Sequence, residues 1–110
     1  MKILLLSATQ HEIEPFLKTS PKIDILITGI GIHAAVYRLT KQLCHHHYDI
    51  VIQAGLAGSF NNTTALEEVV MVNKDCFGDV GVMENNTYKS IQDLDLCNEP
   101  EWLDNHNPIL

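Results

Sequence analysis

Three apolar runs separated by two helix-like stretches constrain this chain more than any other feature of its 110 residues. The runs are Lys2–Leu6, Ile23–Thr28 and Ile50–Ala54. Apolar residues at successive positions suit strands buried on both faces of a parallel sheet. Between the first two, Gln10–Lys18 places Ile13, Phe16 and Leu17 at helical spacing. Thr9 is its expected N-cap, with Glu12 three residues on, and Ser20-Pro21 ends it. Between the second and third, Ile32 to about Cys44 carries Ala34, Ala35, Leu39 and Leu43 on one side, which predicts a helix packed on a sheet. Glu68–Val72 is a fourth strand candidate. The fold class is therefore α/β, with strands and helices alternating as in a doubly wound sheet.

Ligands of such sheets sit at the carboxyl ends of the strands. Three loops are expected to converge there: Ser7–Glu12, Gly29–His33 and Gly55–Ser59. Beyond Asn73 the chain is a loop rich in glycine and carboxylate, Asp75–Gly81. A polar, proline-punctuated stretch follows, anchored only by Ile91, Leu94, Leu96 and Trp102. The ending, Asn107-Pro108-Ile109-Leu110, is neither a polar tail nor a completed element. Four strands and two helices leave a sheet edge open and apolar. The expectation is a truncated chain, residues 1–110 forming the N-terminal part of a single larger domain.

Composition narrows the partners. Seven basic against fourteen acidic residues give a formal charge of −7, and a nucleic-acid grip needs a basic face. No apolar run reaches the roughly 18 residues of a membrane helix. Three cysteines, Cys44, Cys76 and Cys97, form neither a CxxC pair nor an even framework. A reducing cytoplasm is expected, without nucleic acid or membrane as partner.

Glu12 has two readings that can hold together. It is a capping glutamate, or a base that orients or deprotonates a water at the cleft floor. Gly29-Ile30-Gly31-Ile32-His33-Ala34 fits the G-x-G-x-x-A dinucleotide pattern. The acid required after the next strand is missing, because Gln53 stands there and Asp49 lies at the wrong end. The two glycines better serve close approach of a smaller ligand. Gly55–Ser59 is a turn or a ligand loop, and it lacks the Gly-Lys-Ser/Thr ending of a P-loop. His45-His46-His47 raises a metal site, but adjacent histidines diverge and a solvated helix exit explains them better. His11 and His33 lie near the expected site, where surface and catalytic roles both remain open. No metal and no cofactor is called for.

Met1-Lys2-Ile3 through Glu12, then Thr28-Gly29-Ile30-Gly31, then Asp49 through Phe60 with its Ala54-Gly55-Leu56-Ala57-Gly58-Ser59 core, resemble the nucleoside phosphorylase/nucleosidase superfamily. Methylthioadenosine/S-adenosylhomocysteine nucleosidases are similar. The short link before the second strand, the Ala-Gly-x-Ala-Gly-Ser-Phe turn and Phe77-Gly78-Asp79-Val80-Gly81 look most like futalosine hydrolase. The resemblance implies a three-layer α/β/α fold with a central mixed sheet, usually dimeric. It also implies hydrolysis of a purine–ribose bond, releasing hypoxanthine from futalosine on a route to menaquinone.

By the same resemblance Glu12 is the water-activating glutamate. Ala57 and Gly58 line the base and ribose pocket, Ile30 and Gly31 lie near the ribose, and Ala8, Leu56 and Ser59 complete the substrate contacts. Phe77 to about Tyr88 corresponds to a segment near the neighbouring subunit and the C5′ group. The nucleosidases carry serine where this chain has Leu56, so a hydroxyl is missing or comes from Ser59. The family's aspartate acid and ribose-binding glutamate lie in the second half of the fold, so this polypeptide alone is expected not to turn over nucleosides. Arg38, the lone arginine, is expected to face solvent, which favours a water nucleophile over phosphate. A phosphorylase, a methylthioadenosine/S-adenosylhomocysteine nucleosidase and an inactive nucleoside-binding domain are the alternatives.

Overall fold

The structure, a computed structural model, describes residues 1–73, 75 and 78–96. The chain divides into two compact units, Met1–Ala65 and Leu66–Leu110.

The first unit is built on a three-stranded parallel sheet. β1 (Ile3–Ser7) lies in the middle, with β2 (Asp24–Ile27) on one side and β3 (Ile50–Gln53) on the other. In register, Leu5 faces Ile25 across one ladder and Ile52 across the other. The central position explains the sequence of β1. Leu4, Leu5, Leu6 and Ser7 are all buried, whereas the flanking strands end in exposed residues, Asp24 and Gln53. A central strand of a parallel sheet reads as a continuous apolar run where both of its faces are covered, and the burial of successive residues Leu4–Ser7 shows that cover on β1.

Between β1 and β2 the expected single helix over Gln10–Lys18 is broken in two. A 3-10 turn, His11–Ile13, leads into a four-residue helix α1, Glu14–Leu17. Pro15 is the reason. It has no N–H to donate to the His11 carbonyl, and the N–H of Glu14 takes that carbonyl instead. Among the described residues, Ile13 from this turn is one of five buried hydrophobic side chains, with Leu4, Leu5, Leu6 and Tyr48.

Helix α2, Ile32–His45, follows β2 as the sequence predicts. Gly29 and Gly31 precede it at φ +81° and +96°, backbone that a side chain would strain. Ala34, Ala35, Leu39 and Gln42 are half-buried, while Ile32, Val36, Tyr37 and Leu43 are exposed. Arg38 is exposed but not free: its guanidinium donates to the carbonyl of Ile27 at 2.8 Å, tying α2 to the end of β2.

A polar cluster closes the amino ends of the strands. Gln42 Nε2 donates to the Tyr48 hydroxyl at 2.6 Å, and that hydroxyl donates to Asp24 Oδ2 at 2.8 Å. Lys2 Nζ reaches the same carboxylate at 3.6 Å and lies 4.7 Å above the Tyr48 ring. Asp49 accepts the Lys2 N–H and pairs with the terminal amine of Met1. His45, His46 and His47 are exposed at the helix exit, where His46 N–H closes the last turn on Gln42.

In the second unit Glu68–Val72 is not a strand, contrary to expectation. A strand exists only where a ladder partner takes its backbone groups, and neither described sheet includes this segment. Val69, Val70, Met71 and Val72 are exposed.

The regular structure lies further on, in an antiparallel hairpin that the sequence reading missed. β4 (Gly81–Glu84) pairs with β5 (Thr87–Ser90). Asn85 and Asn86 make the turn at φ +49° and +60°, the pair of positive values that a two-residue type I′ turn requires. Lys89 pairs with Glu84 diagonally across the ladder.

One capped helical turn follows. The Asp93 carboxylate accepts from Ser90 N at 2.9 Å and Ser90 Oγ at 2.7 Å, and Asp93 N–H donates back to that hydroxyl at 3.2 Å. Leu96 N–H to Ile91 O and Asp95 N–H to Gln92 O close it, with Asp95 at φ +58°. That is a capping box and a Schellman closure on a single turn. Phe77, Cys76, Cys97 and Trp102 lie outside the described residues.

Candidate functional site

Parallel pairing sets the site. Because β2 and β3 both run with β1, the loops Ser7–Glu12, Gly29–His33 and Gly55–Ser59 all leave the same end of the sheet. Backbone bonds carry the pairing just past the strands: Thr28 N to Ser7 O, Gly29 N to Ala8 O and Ala54 N to Leu6 O, at 2.9–3.0 Å. The strand order 2-1-3 also has a direction change, since the chain moves outward from β1 on one side and then starts again on the other. A crevice outside the carboxyl ends forms at such a switch. Here it lies between the loops after β1 and β3.

Glu12 bridges those two loops. Its Oε2 accepts the Thr9 N–H at 2.8 Å, the Thr9 hydroxyl at 3.1 Å and the Ser7 hydroxyl at 3.1 Å. Its Oε1 lies 3.5 Å from the Leu56 N–H, a long contact from the glycine loop. A β-carbon added at Gly55 would sit 3.4 Å from Oε1, so glycine leaves that side of the carboxylate open. The Thr9 N–H is the main reason Glu12 is held below the ordinary carboxylate range. Its partial cover opposes this, and the Thr9 hydroxyl, Leu56 N–H and Ser7 hydroxyl lower it further. At neutral pH the group is an anion with one oxygen tied and one oxygen facing the crevice.

The N-cap of the 3-10 turn is Gln10, which makes no side-chain cap bond, and not the expected Thr9. The Glu12 carboxylate still reaches back to the Thr9 N–H as a capping glutamate does, and the same tie points its other oxygen toward the loop after β3.

No family model, curated protein or solved structure matches the chain. The geometry alone speaks for the site.

Among the residues the sequence singled out, Glu12 and Leu56 come together directly. Ala8 is half-buried and joins the cluster through its carbonyl, which binds Gly29. Ile30, 83% exposed, and Gly31 flank the entrance to α2, with no hydrogen bond to Glu12. Ala57 and Gly58 are exposed beyond Leu56. Ser59 turns to its own loop. Its hydroxyl donates to the Asn61 carbonyl at 2.9 Å and accepts the Asn61 N–H at 3.2 Å, so it does not replace the serine absent at Leu56.

The hydroxyls beside Glu12 are those of Thr9, which the sequence paired with the acid as a cap, and Ser7, to which it gave no role. The signal for Ser7 was present: a serine closing a buried strand shortly before an acid, separated by a turn. His11 and His33 are exposed. Asp49 lies with Met1 and Lys2 at the amino ends of the strands, far along the sheet from a ribose ligand's place. A shallow hollow of about 630 Å³ runs along α2, lined by Ile32, His33, Val36, Tyr37, Thr40 and Lys41. It does not include Glu12. No group of His, Cys, Asp and Glu able to hold a metal occurs among the described residues.

Proposed function

We propose that this chain supplies the water-activating half of a nucleoside N-glycosidase, with futalosine as its substrate and hypoxanthine as the released base. The observation that carries the proposal is the Glu12 carboxylate at the switch between β1 and β3, anchored through Oε2 and met at Oε1 by the long Leu56 N–H contact. The resemblance of the three loops to futalosine hydrolase supplies the substrate. On this reading the fold is the three-layer α/β/α arrangement of the nucleoside phosphorylases, the working protein is a cytoplasmic dimer, and water is the nucleophile.

The chemistry suits a weakly basic carboxylate. Breaking the bond between a purine and ribose builds positive charge on the sugar while the departing base gathers electrons. A carboxylate held below its usual range cannot strip a proton from bulk water. A water adding to a cationic sugar carbon becomes far more acidic, and Glu12 then accepts its proton late in the step. The anion also lies where it favours positive charge on the ribose. The glycine loop, with no side chain at Gly55 or Gly58, lets the sugar approach backbone N–H groups. None of the three loops carries a second carboxylic acid, so on this reading the aspartate that protonates the purine in the resembled family has no counterpart in them.

The test is release of hypoxanthine from futalosine, followed by ultraviolet absorbance after separation. It is run on the 110-residue chain and on any longer product of its reading frame, with methylthioadenosine as the specificity control. Release by the longer product, slowed by about 10²–10⁴-fold in Glu12→Gln, is expected. Tight purine binding by a folded protein with no release would instead place the chain among binding domains.

A further inference from the structure

Ser7 is the most buried polar residue of the first unit, at 1% exposure, and nothing in the proposed chemistry yet uses it. Its hydroxyl has one proton to give and two acceptors at equal distance, the Thr9 carbonyl and Glu12 Oε2, each at 3.1 Å. These are the two protein acceptors within its reach. We infer that Ser7 is the positioning residue of Glu12: with Thr9 it saturates Oε2 and leaves Oε1 as the oxygen that meets the ligand.

The inference rests on Glu12 being the group that holds water. When Glu12 is ionised, a charge-assisted bond to Oε2 outcompetes the neutral bond to the Thr9 carbonyl. When Oε1 takes a proton, the charge leaves Oε2 and the Ser7 hydroxyl loses that preference. Ser7 thus favours the anion and resists its protonation. Hydrogen bonds account for the lowering of Glu12, with no charged side chain contributing. The ion pairs of this unit lie elsewhere, between Met1 and Asp49, Lys2 and Asp24, and Lys18 and Glu14. A titration of Glu12 therefore reads its hydrogen-bond donors.

The experiment is carbon-detected NMR titration of the Glu12 side-chain carboxyl in the whole chain. Ser7→Ala, Ser7→Cys (a somewhat larger side chain that donates weakly) and Thr9→Val are compared with Thr28→Val. Thr28 is also buried, and its hydroxyl contacts the Ser7 and Gly29 carbonyls instead of Glu12. The Glu12 midpoint is expected to move up in both Ser7 variants and in Thr9→Val, and to stay in place in Thr28→Val. In an active form of the enzyme the acid limb of kcat/KM moves up with it. An unmoved midpoint in a folded Ser7 variant overturns the inference, as does an equal rise in Thr28→Val, which would mark a general loosening. The titration needs no turnover. A shifted midpoint in this chain, together with no purine release by the longer product of the reading frame, removes the glycosidase reading and leaves the Ser7 tie standing.

Discussion

Replacing Tyr48 by phenylalanine removes one oxygen from the cluster that pins the amino ends of the strands. The ring stays buried, so the change is confined to two hydrogen bonds: the one donated to Asp24 at 2.8 Å and the one accepted from Gln42 at 2.6 Å. A neutral bond contributes about 0.5–1.5 kcal/mol net and one to a charged group about 1.5–3 kcal/mol. Asp24 is half exposed and keeps Lys2 nearby, so water and the ammonium recover much of the second. Gln42 is only partly open and loses its acceptor. The expected loss is about 2 kcal/mol, which for a domain of this size lowers Tm by roughly 8–15 °C.

The assay is thermal unfolding followed by far-ultraviolet circular dichroism, with urea titration as a check on the free energy. Gln42→Ala supplies the control, since it should cost much less in the Tyr48→Phe background than in the parent. A Tm within about 2 °C of the parent, too small for the loss of even one such bond, would show that the hydroxyl does not hold β2 and α2 together. The consequence reaches the site. The register that brings the loops after β1 and β3 together is set by the same strands that this cluster joins.

Glu12→Gln should retain the fold, because its amide oxygen can occupy the Oε2 seat and accept from Ser7 and Thr9. Activity should fall by about 10²–10⁴-fold in kcat, the usual range for a lost general base, measured by hypoxanthine release. Acid should weaken both units. Glu12 and Asp93 are lowered from ordinary values of 4.5 and 3.8, chiefly by the Thr9 N–H and by the Ser90 hydroxyl respectively. Their stabilisation is complete above those values and is lost as pH falls through the lowered folded values. Urea midpoints should fall below pH 4.5, and less steeply in Glu12→Gln. Gly81→Ala should open the β4–β5 hairpin at a cost of about 1–3 kcal/mol. Its new methyl would meet the Lys89 carbonyl and lie 2.7 Å from Tyr88 Oη, and loss of amide-exchange protection at Ile91, whose N–H binds Val80 O, would report it.

The sheet was legible because burial on both sides of β1 leaves no room for polar residues, and the run Ile3–Leu6 shows this directly. Helix α2 was legible from its spacing and from the glycines before it. Pro15 was also in plain view, but a periodic reading of Gln10–Lys18 weighs side-chain spacing and not the missing N–H. Glu68–Val72 has the composition of a strand, yet composition cannot supply a ladder partner. The hairpin was hidden for the opposite reason: its strands are short and exposed, and the signal is the Asn85-Asn86 turn between them. At the site, parallel order made the three loops foreseeable. The convergence of Ser7 and Thr9 on one oxygen of Glu12 was not, because it depends on how a 3-10 turn folds the acid back over the strand end.

Futalosine supplied to the longest soluble product of this reading frame tests the glycosidase reading most directly. Hypoxanthine should appear in step with loss of the nucleoside, methylthioadenosine should be a poorer substrate, and Glu12→Gln should slow the release by about 10²–10⁴-fold. A folded protein that binds the purine nucleoside and leaves its glycosidic bond intact, or one that cleaves it equally well without the Glu12 carboxylate, would contradict that reading.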